Sequence, residues 1–242
     1  MPPIPTLEEL SRYRPFQNRV MVRVDTAPER TAGGLYIPEE YIRTPFTADV
    51  LAIGNGYKAQ DGEAPLELAV AVGDRALVGK WTLLAHEAFS RKIFFLPDQL
   101  MLAKITGPNP LGDPLADVEP LGSRMLIEIL EEEAPSSIIV APETRTRVNK
   151  PRFVRVLKVG PGGWEPARAE YTDGIVREWR RRREPMEFAA GDLAVLQKWV
   201  ISYDEERDEW RVGDGNTSFV FPGERYMLVD TRHLVGDVAF DQ

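Results

Sequence analysis

An internal duplication constrains this chain more than any other feature of its sequence. PFQNRVMVRV (15–24) aligns with PLGSRMLIEI (120–129), each a proline, a short loop, an arginine and an apolar run. GGLYIPEE from Gly33 aligns with SSIIVAPE from Ser136, and VLAIGNG from Val50 with VLKVGPG from Val156. VGDRALVGKW (72–81) then matches AGDLAVLQKW (190–199), and LMLA (100–103) matches YMLV (226–229). The blocks keep one order while the spacing between partners changes from 105 residues at the first pair to 118 and 126 at the last two, so the insertions fall between blocks. A repeat of this size is a folding unit, and the chain is read as two of them.

Each block reads as strand. VMVRV, DVLAIG, DRALVGK, FVRVLKVG and DLAVLQKWV are short, rich in β-branched and aliphatic residues, and bounded by Gly, Pro, Asp or Asn. Long helical periodicity is missing. One short N-terminal helix is expected where Thr6 and Glu9 form a capping box before Pro15 ends it. TGPNPLGDPLADVE (106–119) is rich in Pro and Gly and reads as a stiff linker. The expected architecture is all-β: an N-terminal extension at 1–14, a barrel at 15–105, the linker at 106–119 and a second barrel at 120–242.

Composition narrows the chemistry. There is no cysteine, which excludes disulfides and thiolate metal sites, and only His86 and His233 remain for metal or acid–base work. No nucleophile with a matched base can be named, so no enzyme, cofactor or metal is expected. A net charge of -8 argues against nonspecific nucleic-acid binding. No apolar run is long enough to span a bilayer and the first residues lack a signal-peptide pattern, which makes the cytoplasm the expected setting. GNGYKA (54–59) formally matches a dinucleotide fingerprint, but Asp61-Gly62 and Pro65 turn the chain where that fold requires a helix.

The first repeat resembles the GroES-type co-chaperonins. NRVMVRV, AGGLYIPEE, DVLAIGNG and DGEAPLELAVAVGDRAL follow that family's order at close to its spacing. The resemblance implies two tandem GroES-like irregular β-barrels. It also implies a GroEL-type chaperonin as partner, in its ATP-bound ring, capped by a homo-oligomeric ring of this chain. In such proteins a mobile loop lays an apolar triplet into the chaperonin, and the matching residues here are Leu35, Tyr36 and Ile37, with Gly33 and Gly34 as the hinge. Such rings match seven chaperonin subunits, which two barrels per chain do not divide evenly.

The second repeat departs from the pattern. SSIIVAPE replaces the glycine pair by Ser136 and Ser137, and Ile138, Ile139 and Val140 could anchor in a chaperonin or form a fixed strand, since β-branched residues favour both. The hairpin that roofs the dome in the family is enlarged after Gly163 and carries Arg177 and then Arg180, Arg181, Arg182 and Arg183 beside Trp164, Tyr171 and Trp179. This is a candidate anion-binding run, weighed against a solvated strand balanced by Glu178, Glu184 and Glu187. The alternative to a co-chaperonin is a structural ring or capsid-associated protein that reuses the same barrel.

Overall fold

The computed structural model describes residues 10, 12–25, 46–56, 67–79, 87–90, 92–130, 152–163, 168–172, 175–180, 185–197, 201–204, 209–212, 218–223 and 225–237. The protein is all-β. Seven strands form the first antiparallel sheet: β1 (Arg19–Val24), β2 (Phe46–Ile53), β3 (Arg75–Val78), β4 (Glu87–Ser90), β5 (Ile93–Pro97), β6 (Met101–Ile105) and β7 (Val118–Pro120), in the order β4-β5-β1-β2-β3-β6-β7. Period-two alternation drives Val20, Val22 and Val24 of β1 inward, where they meet Ala48, Val50, Ala76, Val78, Leu96 and Met101. One core receives side chains from five strands, so the sheet curls around it as a barrel wall.

The second sheet repeats this plan with β8 (Arg124–Ile129), β9 (Arg152–Val159), β12 (Leu193–Leu196), β15 (Phe219–Val220), β16 (Tyr226–Asp230) and β17 (Leu234–Asp237), in the order β15-β16-β8-β9-β12-β17. Its core gathers Met125, Ile127, Val154, Val156, Leu196, Met227 and Val229. Details recur as well as strands. The register shifts between Met21 and Val22 in β1, and between Leu126 and Ile127 in β8, so the same bulge sits at aligned positions. The Gly-Asp turn before the third strand recurs: Gly73 and Gly191 both take positive φ, and Asp74 and Asp192 accept from the N–H of Ala71 at 2.9 Å and Ala189 at 2.7 Å.

The fold corrects one block of the sequence alignment. YMLV does not correspond to LMLA. β16 pairs with β8 as β5 pairs with β1, Asp230 facing Arg124 where Pro97 faces Arg19. Each is followed by a 3₁₀ turn, Asp98–Leu100 or Thr231–His233, and then by the strand that pairs with the third, β6 or β17. Two apolar strands flank one turn in each repeat, and a shared Met-Leu pair drew the alignment to the wrong member.

Residues 106–119, read from sequence as a linker, hold a helical turn, α1 (Pro114–Asp117), capped by the Asp113 side chain on the N–H of Ala116 at 3.1 Å. They then enter β7, which pairs with β6: Ala103 faces Pro120, Lys104 faces Glu119 and Ile105 faces Val118. The expected N-terminal helix falls on residues of which only Leu10 and Arg12 onward are described; Leu10 lies in a helical turn, buried against Met21 and Ile93. Two ribbons stand apart from the sheets. β10 (Arg168–Thr172) pairs with β11 (Ile175–Arg180), forming a hairpin in the enlarged insertion, and β13 (Ile201–Asp204) pairs with β14 (Glu209–Val212). Among the described residues no helix is long and apolar enough to cross a membrane.

Candidate functional site: loop roots and the seam between repeats

The loop carrying Gly33, Gly34, Leu35, Tyr36 and Ile37 lies outside the described residues, but both of its roots are described. β1 ends at Val24 and β2 begins at Phe46. Across the gap the N–H of Asp25 donates to the carbonyl of Thr47 at 2.9 Å, and Thr47 Oγ1 donates to Asp25 Oδ2 at 2.7 Å. Arg75 Nη2 reaches the same carboxylate, and its Nε lies 3.1 Å from Asp49 Oδ1, while Arg23 Nη2 meets Asp49 Oδ2 at 2.8 Å. Three strands are thus knitted where the loop leaves and returns. These pairs are half-exposed, so each contributes at most about 1 kcal/mol, and their effect is to fix where the loop starts.

The second repeat builds its root differently. Ile138, Ile139 and Val140 lie outside the described residues. At the root Leu130 N–H donates to Phe153 O at 3.1 Å, and the cross-strand pair has its signs reversed: Glu128 on β8 meets Arg155 on β9 at 3.0 Å and Arg225 at 2.6 Å. Leu130 and Phe153 replace the Asp25–Thr47 pair, so the backbone bond is kept while the side-chain tie has no counterpart among the described residues. Arg180 closes β11, whose register sets it opposite Arg168, and Arg181, Arg182 and Arg183 lie outside the described residues.

The Gly-x-Gly stretches have a packing role in both repeats. A Cβ on Gly54 would overlap the carbonyl oxygen of Gln17, and one on Gly160 that of Gly122. The loop entering the first strand presses on the end of the second, and Gly56 N–H and Gly162 N–H donate to those same carbonyls at 3.1 and 3.0 Å. This contact, rather than a phosphate, explains the glycines of GNGYKA. His233 is buried in the 3₁₀ turn with Nδ1 2.9 Å from Ser218 Oγ, while His86 lies outside the described residues. Among the described residues no group of three or more His, Asp or Glu could hold a metal ion.

The seam between the repeats was not foreseen from sequence. Leu77, Leu102, Ala103 and Ile105 of the first sheet bury an apolar surface against Leu126, Phe219, Phe221 and Leu228 of the second, and Phe219 and Phe221 meet edge to face at 5.0 Å. Arg124 is buried there and donates to Gln99 O at 2.7 Å, and Lys158 Nζ donates to Val118 O at 3.0 Å. Leu121, which by alignment opens the second repeat, packs into the core of the first and donates its N–H to Leu102 O at 3.2 Å. The only sequence signal for this was that Leu121 aligns with Phe16.

Residues 12–105 match the Chaperonin 10 Kd subunit family, a span that ends with β6. Over 71 residues the chain is 45% identical to the co-chaperonin GroES of Rhizorhabdus wittichii, covering 29% of this chain and 73% of that protein. The chain belongs to the chaperonin 10 family. A co-chaperonin GroES from Zymomonas mobilis is 44% identical over 70 residues, again 29% of this chain and 73% of its own length. The 20 kDa chaperonin of spinach chloroplasts is 26% identical over 197 residues, 81% of this chain and 68% of that protein, so that similarity runs through both repeats. Within the chaperonin 10 family, then, this chain has two GroES-like barrels in tandem, the second with its own insertions.

Proposed function

We propose that this protein is a co-chaperonin of the cytoplasm, which caps the folding chamber of a GroEL-type chaperonin in its ATP-bound state and assists protein folding without catalysis of its own. Barrels at 15–105 and 120–242 form the body. The mobile loop between β1 and β2 docks, with Leu35, Tyr36 and Ile37 entering apolar grooves and Gly33 and Gly34 allowing the backbone to change direction. The observation that carries this reading is the 45% identity of the first repeat to a protein named co-chaperonin GroES. The Asp25–Thr47–Arg75 tie at the loop's roots supports it, because a docking loop needs a fixed origin.

Energetics require several loops to act together. Burying three large side chains gains roughly 1.5 to 3 kcal/mol each. Ordering about ten loop residues costs roughly 1 to 2 kcal/mol each, so a single loop binds weakly. A ring of chains makes each later contact intramolecular and supplies the missing affinity. Ile138, Ile139 and Val140 are the matching triplet of the second barrel, without glycine hinges. Replacing Leu35, Tyr36 and Ile37 together by Ser abolishes co-purification with a GroEL-type chaperonin while leaving the assembly intact; binding that survives the triple substitution contradicts the proposal.

A further inference from the structure

The second barrel carries an inserted element at one end. The first repeat passes from its third strand to the edge strand β4 through residues 79–86, whereas the second passes from β12 to the matching edge strand β15 through 197–218. The longer connection holds the β13–β14 ribbon, whose strands pair only with each other among the described residues.

Register gives this ribbon two unlike faces. Ile201 is set opposite Val212 and Tyr203 opposite Trp210, and because alternate residues of a strand share a face, these four lie on one side. The other side takes Ser202 opposite Arg211 and Asp204 opposite Glu209. One face is wholly aliphatic or aromatic, and the other is wholly polar. A two-stranded ribbon is marginal in water by itself, so its apolar face requires a cover.

Topology fixes the end of the barrel at which that cover must lie. β8 starts in the internal joint between the repeats, where Arg124 donates to Gln99 O at 2.7 Å. Just past its other end Leu130 N–H bonds Phe153 O, and Phe153 is set opposite Val195 of β12. One row across three strands thus joins both roots of the 131–151 loop to the end of β12, and the ribbon begins soon after, at Ile201. By the repeat, this is the end at which the first barrel carries Leu35, Tyr36 and Ile37.

Charge narrows the partner. Residues 204–209, DEERDE, place five acids and one arginine around the ribbon's turn, which repels nucleic-acid phosphates and anionic lipid alike. A protein surface remains. The second barrel also has a use for another anchor, since Ser136 and Ser137 stand where the first has its glycine pair. A ribbon whose register is already set loses less freedom on docking than a loop that is ordered at that moment.

We infer that the face formed by Ile201, Tyr203, Trp210 and Val212 is a further docking surface for a GroEL-type chaperonin, seated in an apolar groove on the chaperonin's rim. This rests on the reading of the protein as a co-chaperonin and extends it: each chain binds through two unlike elements, a hinged loop on the first barrel and a preset ribbon on the second.

The test is a titration of the full chain against a GroEL-type chaperonin with ATP, with assembly and melting followed for each variant alone. Tyr203→Ser combined with Trp210→Ser weakens binding at least about tenfold, as loss of central aromatic anchors does, and leaves assembly and melting temperature unchanged. Arg211→Gln, on the polar face, binds as the wild type does. In the wild type, hydrogen exchange over 197–218 slows when chaperonin and ATP are added, a readout that needs no variant. A double variant that binds as tightly as the wild type, or exchange over 197–218 that the chaperonin leaves unaltered, overturns this surface and leaves docking by Leu35, Tyr36 and Ile37 standing. A double variant that melts earlier or assembles less overturns it too, because the face then covers its own chain or a second copy, as does slowing that appears only with a non-native polypeptide bound. A wild type that binds no chaperonin overturns both readings.

Discussion

Leu121→Ala is the substitution that weighs the internal joint. The side chain is almost wholly buried, in the core that also holds Leu96 and Met101, both fully buried. Removing three carbons forfeits about 0.8 kcal/mol each, roughly 2.4 kcal/mol of transfer free energy, and the cavity left behind raises the loss to about 3 kcal/mol. For a chain of this size, that lowers the melting temperature by about 6 to 12 °C. Leu115→Ala, one helical turn earlier and substantially exposed, is the control and changes stability by less than about 0.5 kcal/mol. Hydrogen exchange resolved by segment is the informative assay. A residue that belongs by sequence to the second repeat should loosen Val20–Val24 and Ile93–Leu96 of the first, ahead of the second barrel. A loss under about 1 kcal/mol, or one confined to the second barrel's strands, refutes the idea that Leu121 completes the first core.

Three further outcomes follow from local geometry. Gly160→Ala drives a Cβ into the backbone of Gly122 and Arg124 and destabilises the chain by about 3 kcal/mol in urea unfolding, since the clash is with main chain and cannot be relieved by a rotamer. Gln17→Gly relieves a left-handed glutamine and stabilises by about 0.5 to 1 kcal/mol in the same assay, the strain outweighing the added chain entropy. For Asp74, desolvation pushes the carboxyl's pKa up. The hydrogen bond and charge of Lys104, with the N–H of Ala71, outweigh it and hold the pKa below the ordinary carboxylate value. The ionised form is therefore favoured by folding, its contribution is present above about pH 4 and is lost as pH falls through the folded-state value. Asp74→Asn should be less stable than wild type at neutral pH, with the gap narrowing in acid in paired melts.

The all-β class and the duplication were legible in the sequence, because alternating Val and Leu runs between Gly, Pro and Asp leave few options. The Gly-Asp turns and the register shifts sit at aligned positions in the two repeats, although the blocks alone carry no mark of a bulge. The correspondence of the last strands was not legible, since two similar apolar quartets flank a 3₁₀ turn in each repeat and only hydrogen-bonded pairing tells them apart. The reach of Leu121 into the other barrel was also hidden. A proline-rich stretch looks like a linker whether or not its end adds to a neighbouring sheet, and burial by a partner leaves no periodic trace. The β13–β14 ribbon was missed too, although Ile201, Tyr203, Trp210 and Val212 alternate with polar residues on either side of the charged run at 205–208. The loops proposed to dock, at 33–37 and 138–140, remain readable through their sequence and the roots that frame them.

Limited proteolysis of the full chain, alone and with a GroEL-type chaperonin and ATP, tests docking most directly. Cleavage within residues 26–45 should be suppressed when the chaperonin is added and return in the variant carrying Ser at 35, 36 and 37. Cleavage there that proceeds equally fast with and without the chaperonin would contradict the proposal that this loop carries the binding.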